Sequence, residues 1–313
     1  METIYLTHPI QYDRHENPPT VMALGYFDGV HLGHRTVIET AVKIAKEKGA
    51  VSAVMTFHPH PKEVLRKPSE PMYYITPLED KITEIETLGV DKLFVVTFNE
   101  IFASLTPQQF VDEYLLSLHT IHVVAGFDFT YGQLGKGTME TLPFHARNLF
   151  SQTTVAKVEE HGTKISSTHI RQLLDEGRVE EISQFLGRDY EVKGKVVHGE
   201  KRGRTIGFPT ANVAPIARYM IPATGVYVVE AVLDGRTLQG VCNVGYKPTF
   251  HDSTCHGRTI EVHLFDFASH IYERGLTVRW KKRIRSEQKF ASLEDLKKQI
   301  QQDTETAKAY FNQ

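Results

Sequence analysis

The sequence predicts an α/β domain with a parallel, doubly wound sheet, followed by a small antiparallel β-barrel that a C-terminal helix closes. Three observations carry this expectation. From residue 1 to about 186, short Val-rich runs alternate with amphipathic helical stretches, the pattern of a sheet buried on both faces. From Tyr190 the apolar period becomes two, in a series of short runs joined by turn signals. One long amphipathic stretch then ends the chain. A length of 313 residues suits about two domains, and Gly187 is the expected boundary, giving 1–186 and 187–313.

Taken in order, the expected strands of the first domain are Val21–Leu24, Val51–Phe57, Lys92–Phe98, His122–Ala125 and Thr154–Val158. Thr36–Lys48 reads as a helix, with Val37, Ile38, Ala41, Ile44 and Ala45 near a 3.6 period and Gly49 as its C-terminal cap. Leu78–Leu88 places Leu78, Ile82, Ile85 and Leu88 on one side and stops at Gly89. Thr106 caps a helix with Pro107 at its first position, and Phe110, Tyr114 and Leu118 form its inner face. Leu173 and Leu174 pack a helix that ends at Gly177, and Val179–Leu186 forms another. In the second domain, Val226–Leu233 and Thr237–Val244 flank Asp234-Gly235, a hairpin signal. Ile260, Val262 and Leu264 alternate with Glu261, His263 and Phe265, and Leu276–Ile284 is a further strand. Ser292 caps the last helix, whose apolar stripe is Leu293, Leu296, Ile300, Ala307 and Phe311.

Composition narrows the function classes. The chain is 41% apolar and 24% charged with a net charge of −2, which offers no whole-chain attraction to nucleic acid or anionic membrane. Cys242 and Cys255 cannot make a disulfide framework, so a reduced, cytoplasmic protein is expected. No secretory signal is visible at the amino terminus, and no apolar run approaches ~20 residues.

The most informative stretch is Gly25-Tyr26-Phe27-Asp28-Gly29-Val30-His31-Leu32-Gly33-His34, set between the first expected strand and helix. Its glycines allow a sharp turn and close backbone approach, and the helix start offers free N–H groups that suit a phosphate. His31 and His34, three apart, can face one ligand. The spacing is neither G-x-x-x-x-G-K-[ST] nor G-x-G-x-x-G. It resembles the H-x-G-H signature of the nucleotidyltransferase superfamily, and the longer form resembles the adenylyltransferase half of prokaryotic bifunctional FAD synthetases. That resemblance implies a Rossmann-like domain in which His31 and His34 are catalytic and Gly25, Phe27, Asp28 and Gly29 contact the nucleotide.

Further candidates fall at other strand ends, where open parallel sheets bind ligands. His58-Pro59-His60-Pro61 lacks Cys or Glu at zinc spacing; the resemblance makes His60 a nucleotide contact. Gly126-Phe127-Asp128-Phe129-Thr130-Tyr131-Gly132 offers aromatics and glycines suited to a flat ring, or is a structural loop. It resembles the family's G-x-N/D-F-x-F-G segment, which implies flavin binding by Phe127, Asp128, Phe129 and Tyr131. Asp128 stands where many relatives have Asn, and a carboxylate beside phosphates needs a nearby cation. Ile165-Ser166-Ser167-Thr168-His169-Ile170-Arg171 opens a helix with hydroxyls and an Arg, as a cap or a phosphate clamp. It resembles the motif I-S-S-T-x-I-R, implying phosphate binding by Ser167, Thr168 and Arg171.

In the second half, Lys201-Arg202-Gly203-Arg204 reads as a solvated loop, an RNA-binding loop helped by Arg279, Lys281, Lys282, Arg283 and Arg285, or a flap over phosphates. The following Gly207-Phe208-Pro209-Thr210-Ala211-Asn212 resembles the P-T-A-N motif of riboflavin kinases and decides for the flap. The resemblance implies nucleotide contacts from Lys201, Arg204, Gly207 and Phe208, and Mg²⁺ on Thr210 and Asn212, whose oxygens suit that ion. Glu261, on the strand face opposite Ile260, Val262 and Leu264, matches the family's catalytic base. Asn243, Gly245, Pro248 and Thr249 match a family loop beside it, and Arg285 to Phe290 match a turn over the flavin ring, with Asn243, Arg285 and Glu287 as flavin contacts. Ile271-Tyr272-Glu273-Arg274 departs from the relatives' Leu-Tyr-Gly.

The resemblance covers nearly the whole chain. It implies riboflavin phosphorylation to FMN by 187–313 and FMN adenylylation to FAD with pyrophosphate release by 1–186, with ATP as co-substrate. The expected partners are riboflavin, FMN and ATP, with neither nucleic acid nor membrane; a monomer is favoured. A nucleotidyltransferase for another substrate with a regulatory barrel would lack flavin colour or quenching. A non-enzymatic RNA-binding protein would show salt-sensitive retention on nucleic acid.

Overall fold

The computed structural model describes residues 1–66, 71–160, 162–199, 203, 206–246 and 257–312. The candidates Lys201 and Arg204, and with them Pro248 and Thr249, lie outside the described residues. The chain forms two compact units, Met1–Met72 with Thr76–Ser166, and Tyr73–Ile75 with Ser167–Gln313.

The first unit runs β1 (Glu2–Leu6), β2 (Thr20–Leu24), α1 (Leu32–Lys48), β3 (Val51–His58), α2 (Pro61–Arg66), α3 (Leu78–Glu86), β4 (Lys92–Thr97), α4 (Glu100–Ala103), α5 (Pro107–Phe110), β5 (Thr120–Gly126), β6 (Thr130–Tyr131), β7 (Gly137–Thr138), α6 (Leu142–Ala146), β8 (Ser151–Val155), β9 (Glu159–Glu160) and β10 (Thr163–Lys164). Its main sheet has the order β1-β4-β3-β2-β5-β8 and is parallel throughout. All of β2 is buried: Val21 and Ala23 face a core with Ile38 and Ala41 of α1, while Met22 and Leu24 face one with Phe110 and Tyr114. From β2 the chain moves through β3 to β4, then returns to the other side of β2 with β5. That reversal opens a crevice between the carboxyl ends of β2 and β5.

Two strands of the main sheet and its first helix depart from expectation. Helix α1 begins four residues earlier than predicted, at Leu32, because the imidazole of His31 caps it: His34 N–H donates to Nδ1 of His31 at 3.1 Å. Strand β8 lies at 151–155 rather than 154–158, its register set by His122↔Ser151 and Gly126↔Val155. The edge strand β1 was not foreseen, since only Leu6 in it is fully buried. The helix capped by Thr106 forms as expected, with a capping box to Gln109, and widens to a π turn over Val111–Leu116.

The second unit contains α7 (Ser167–Glu176), α8 (Val179–Leu186), β11 (Tyr190–Val197), β12 (Ala211–Pro215), β13 (Gly225–Leu233), β14 (Arg236–Tyr246), β15 (Arg258–Leu264), β16 (Gly275–Arg285) and α9 (Leu293–Phe311). The strands close a barrel in the order β11-β12-β15-β14-β13-β16. Tyr227, Cys242, Ile260, Val262 and Trp280 are buried in it. The hairpin at Asp234-Gly235 forms as predicted, with Leu233 paired to Arg236 and both turn residues at positive φ, 48° and 77°. By packing, α7 and α8 belong with the barrel, so the compact units divide at 166/167, ahead of the 186/187 boundary read from sequence. Arg283 of β16 explains this: its guanidinium donates to Glu176 O at the end of α7 at 3.0 Å and to Thr224 O at 2.7 Å.

Candidate functional site

In the first unit, the ten-residue stretch leaves β2 at the crevice and enters α1. It is tightly held and strained: Phe27, Gly29 and Val30 all take positive φ, at 55°, 92° and 41°. For a β-branched residue such as Val30 this is a true outlier, worth about 1–3 kcal/mol of strain. Gly25 is required here, because a Cβ would lie 2.5 Å from Cε1 of Phe27. Phe27 and Asp28 are buried, and Asp28 Oδ1 accepts the Thr76 N–H at 3.1 Å. What this turn presents is therefore backbone and imidazole rather than the Phe27 or Asp28 side chains.

The rings of His31 and His34 stack at 3.5 Å between centroids, 16° from parallel, and Phe27 packs edge-on against His34 at 5.3 Å. Burial lowers the His31 pKa from 6.5 to about 4 and that of His34 well below its usual value. Both rings are neutral at pH 7. Since Nδ1 of His31 accepts a backbone N–H, its proton sits on Nε2, a neutral donor.

The loop after β5 answers the question raised by Asp128. Lys164 Nζ lies 3.0 Å from Asp128 Oδ2 and 4.7 Å from the centre of the Phe127 ring. Both charges act on His31 with opposite sign. Phe127 and Asp128 are exposed and Phe129 partly so. Tyr131 is buried, with its hydroxyl on Nδ1 of His145 at 2.7 Å, so its side chain belongs to the core. His60 packs edge-on to the Tyr26 ring at 4.2 Å, and its Nδ1 accepts the Lys62 N–H at 2.9 Å.

In the second unit Ser167 and Thr168 open α7, and Arg171 donates to Tyr73 O at 2.8 Å. On the barrel, Glu261 of β15 is paired in register with Asn212 of β12 on one side and Asn243 of β14 on the other. Cross-strand partners share a face, so these three side chains stand in a row opposite the buried Ile260 and Val262. Around Gly245, a Cβ would meet Thr259 Oγ1 at 3.3 Å, Asn243 Nδ2 at 3.4 Å and Glu287 Oε1 at 3.5 Å, which brings Glu287 to the same face. A Cβ on Gly199 would lie 2.2 Å from Asn212 Nδ2, and one on Gly203 would lie 2.3 Å from Phe208 O and 3.4 Å from Thr210 Oγ1. Gly199 and Gly203 thus lie directly against the Gly207–Asn212 segment, with Phe208 N–H on Gly203 O at 2.9 Å. Arg285 is engaged elsewhere: its guanidinium grips Asp303 of α9 at 2.8–3.1 Å.

Four residues to which the sequence assigns no site role join these sites. His263 donates Nδ1–H to the Pro209 carbonyl oxygen at 2.8 Å and packs on Phe208. Thr259 stands two residues from Glu261 on the same face. Lys164 neutralises Asp128, and Lys81 is buried beneath the His31/His34 turn. For His263 and Thr259 the available signal was period-two alternation with Glu261.

The FAD synthetase family model matches residues 13–169, and the riboflavin kinase family model matches residues 186–311. The chain is 53% identical over 312 residues to a bifunctional riboflavin kinase/FMN adenylyltransferase of Bacillus subtilis (strain 168), covering 100% of this chain and 99% of the relative. It is 37% identical over 294 residues to the Escherichia coli (strain K12) protein of the same name, covering 93% and 92%. A solved structure named as a macrolide-efflux protein from Streptococcus pneumoniae superposes with a TM-score of 0.85 at 35% identity, covering 98% of this chain and 99% of that one. Among the described residues no helix is long and apolar enough to cross a membrane. Two family models in this order, with full-length relatives at such identity, place the chain in the bifunctional riboflavin kinase/FMN adenylyltransferase family.

Proposed function

We propose that the two reactions run at two separate sites, one in each half of the chain, with residues 187–313 serving riboflavin phosphorylation and 1–186 serving adenylylation. The observation that supports this most directly is the row Asn212–Glu261–Asn243 on the barrel, assembled without any residue of the first unit. There Glu261 accepts the proton of the ribityl hydroxyl as that oxygen attacks the γ-phosphorus of ATP and ADP leaves. Asn243 and Glu287 position the flavin, and Arg285 holds their turn through Asp303. Gly207, Phe208, Lys201 and Arg204 are nucleotide-phosphate contacts in this reading.

Thr210 and Asn212 fit Mg²⁺: both offer hard oxygens, and Gly199 and Gly203 leave no Cβ against their side chains. When bound, the ion neutralises charge on the triphosphate.

In the first unit, an FMN phosphate oxygen attacks the α-phosphorus of ATP and pyrophosphate leaves. His31, protonated on Nε2, donates a hydrogen bond to the crowded oxygens, and His34 supports it by stacking. The backbone of the Gly25–Gly29 turn and the side chain of His60 complete the nucleotide contacts. Phe127 and Phe129 offer ring faces for the flavin, and Lys164 makes Asp128 tolerable beside phosphates. Ser167, Thr168 and Arg171, on α7, are phosphate-binding residues in this reading, which also takes the protein as cytoplasmic and monomeric.

Incubation of the full chain with riboflavin, ATP and Mg²⁺, followed by chromatography of the flavins, tests the reading. FMN followed by FAD is expected. FMN without FAD would end the adenylyl half, and neither product would end both halves.

A further inference from the structure

Lys81 is a buried cation that none of the proposed chemistry uses. Its side chain is 1% exposed on α3. Nζ donates to the carbonyl oxygen of Tyr26 at 2.8 Å, lies 3.4 Å from Thr56 Oγ1 and stands 4.2 Å from the centre of the Tyr26 ring. Thr56 donates its hydroxyl to the same carbonyl at 2.8 Å. One backbone oxygen therefore receives two side-chain donors from two elements, α3 and β3.

That oxygen sits at the entrance of the strained turn. The next residue, Phe27, is at positive φ, and Val30 follows at φ 41° with no exposed surface. Such a backbone persists only where its surroundings over-determine it. Phe27 then packs edge-on against His34, which is stacked on His31. An unbroken line of contacts leads from the ammonium to both imidazoles. Burial lowers the Lys81 pKa from 10.5 to about 8, with Asp28 acting in the opposite direction, as fits an ammonium held for a structural purpose inside the unit.

We propose that Lys81 is a positioning residue for adenylyl transfer: its ammonium, on the Tyr26 carbonyl together with Thr56, fixes the turn that sets the geometry of His31 and His34. The inference rests on reading the first unit as the adenylyl-transfer half.

Lys81→Met, Thr56→Val and the double variant of the full chain test it, by FAD formation from supplied FMN and ATP, FMN formation from riboflavin, and thermal unfolding. In Lys81→Met, kcat for FAD formation falls about 10- to 100-fold while KM for FMN and ATP stays within about twofold. Riboflavin phosphorylation is unchanged. Thr56→Val shows a smaller loss of kcat, and the double variant loses less than the product of the two, because both donors act on one carbonyl. Wild-type kcat in a folded Lys81→Met overturns the proposal, as does a raised KM with kcat intact. If Lys81→Met does not fold, Thr56→Val decides, and wild-type kcat there overturns it. Absence of FAD formation by the unaltered chain would instead end the underlying reading.

Discussion

His34 donates its backbone N–H to Nδ1 of His31 while its ring lies 3.5 Å from that of His31, so the second histidine fixes the tautomer of the first. The helix cap and the site are one arrangement: the nitrogen that starts α1 leaves Nε2–H as the group available to a phosphate oxygen. His31→Ala combined with His34→Ala should lower FAD synthesis by about 10²–10³-fold or more, the scale of losing a preorganised donor. FMN formation in the same preparation should persist. Normal FAD accumulation would remove these rings from the chemistry.

The same burial gives a pH signature. The folded pKa of His31 is about 4 against 6.5 unfolded, so between these values the unfolded chain takes up a proton that the folded chain refuses. Stability from this group is complete above pH 6.5 and is lost as pH falls toward 4. A shift of this size corresponds to about 3 kcal/mol for a group 5% exposed. Far-UV circular dichroism melts from pH 7 to 4 should show the loss, and His31→Gln should flatten the profile. Equal slopes in the two proteins would contradict it.

Glu261 belongs to the other unit. Glu261→Ala should slow FMN formation by about 10²–10⁴-fold, the range for a lost general base, and leave conversion of supplied FMN to FAD intact. Equal loss of both activities would argue against separate sites.

Much of this was legible in the sequence because it is local. The hairpin at Asp234-Gly235, the Ser292 cap and the alternation around Glu261 each depend on neighbours in the chain. What was not legible depends on distant partners. The row Asn212–Glu261–Asn243 joins three strands whose register no local pattern sets. Asp128 has no cation near it in the chain; the fold sets Lys164 beside it. Lys81 had a local signal: it lies three residues after Leu78 and four before Ile85, on the apolar stripe of α3, where a charge demands a partner. The sequence pattern starts helix α1 at Thr36 rather than Leu32 because a histidine is not among the usual capping residues.

Arg285 and Asp303 provide the last prediction. Asp303 is 3% exposed, and the Arg285 guanidinium meets both its oxygens, tying β16 to α9. Arg285→Ala strands a buried carboxylate, and removing one partner of a buried pair costs about 3–5 kcal/mol. Arg285→Met with Asp303→Leu replaces the pair by apolar groups and should recover most of that loss. Trp280, the single tryptophan, is 1% exposed in the barrel, so its emission during urea unfolding reports the unit concerned. A midpoint for Arg285→Ala equal to that of the unaltered chain would show that the pair does not hold the helix to the barrel. If the double variant regains stability but not riboflavin phosphorylation, the guanidinium has a part in the flavin site beyond the bond to Asp303.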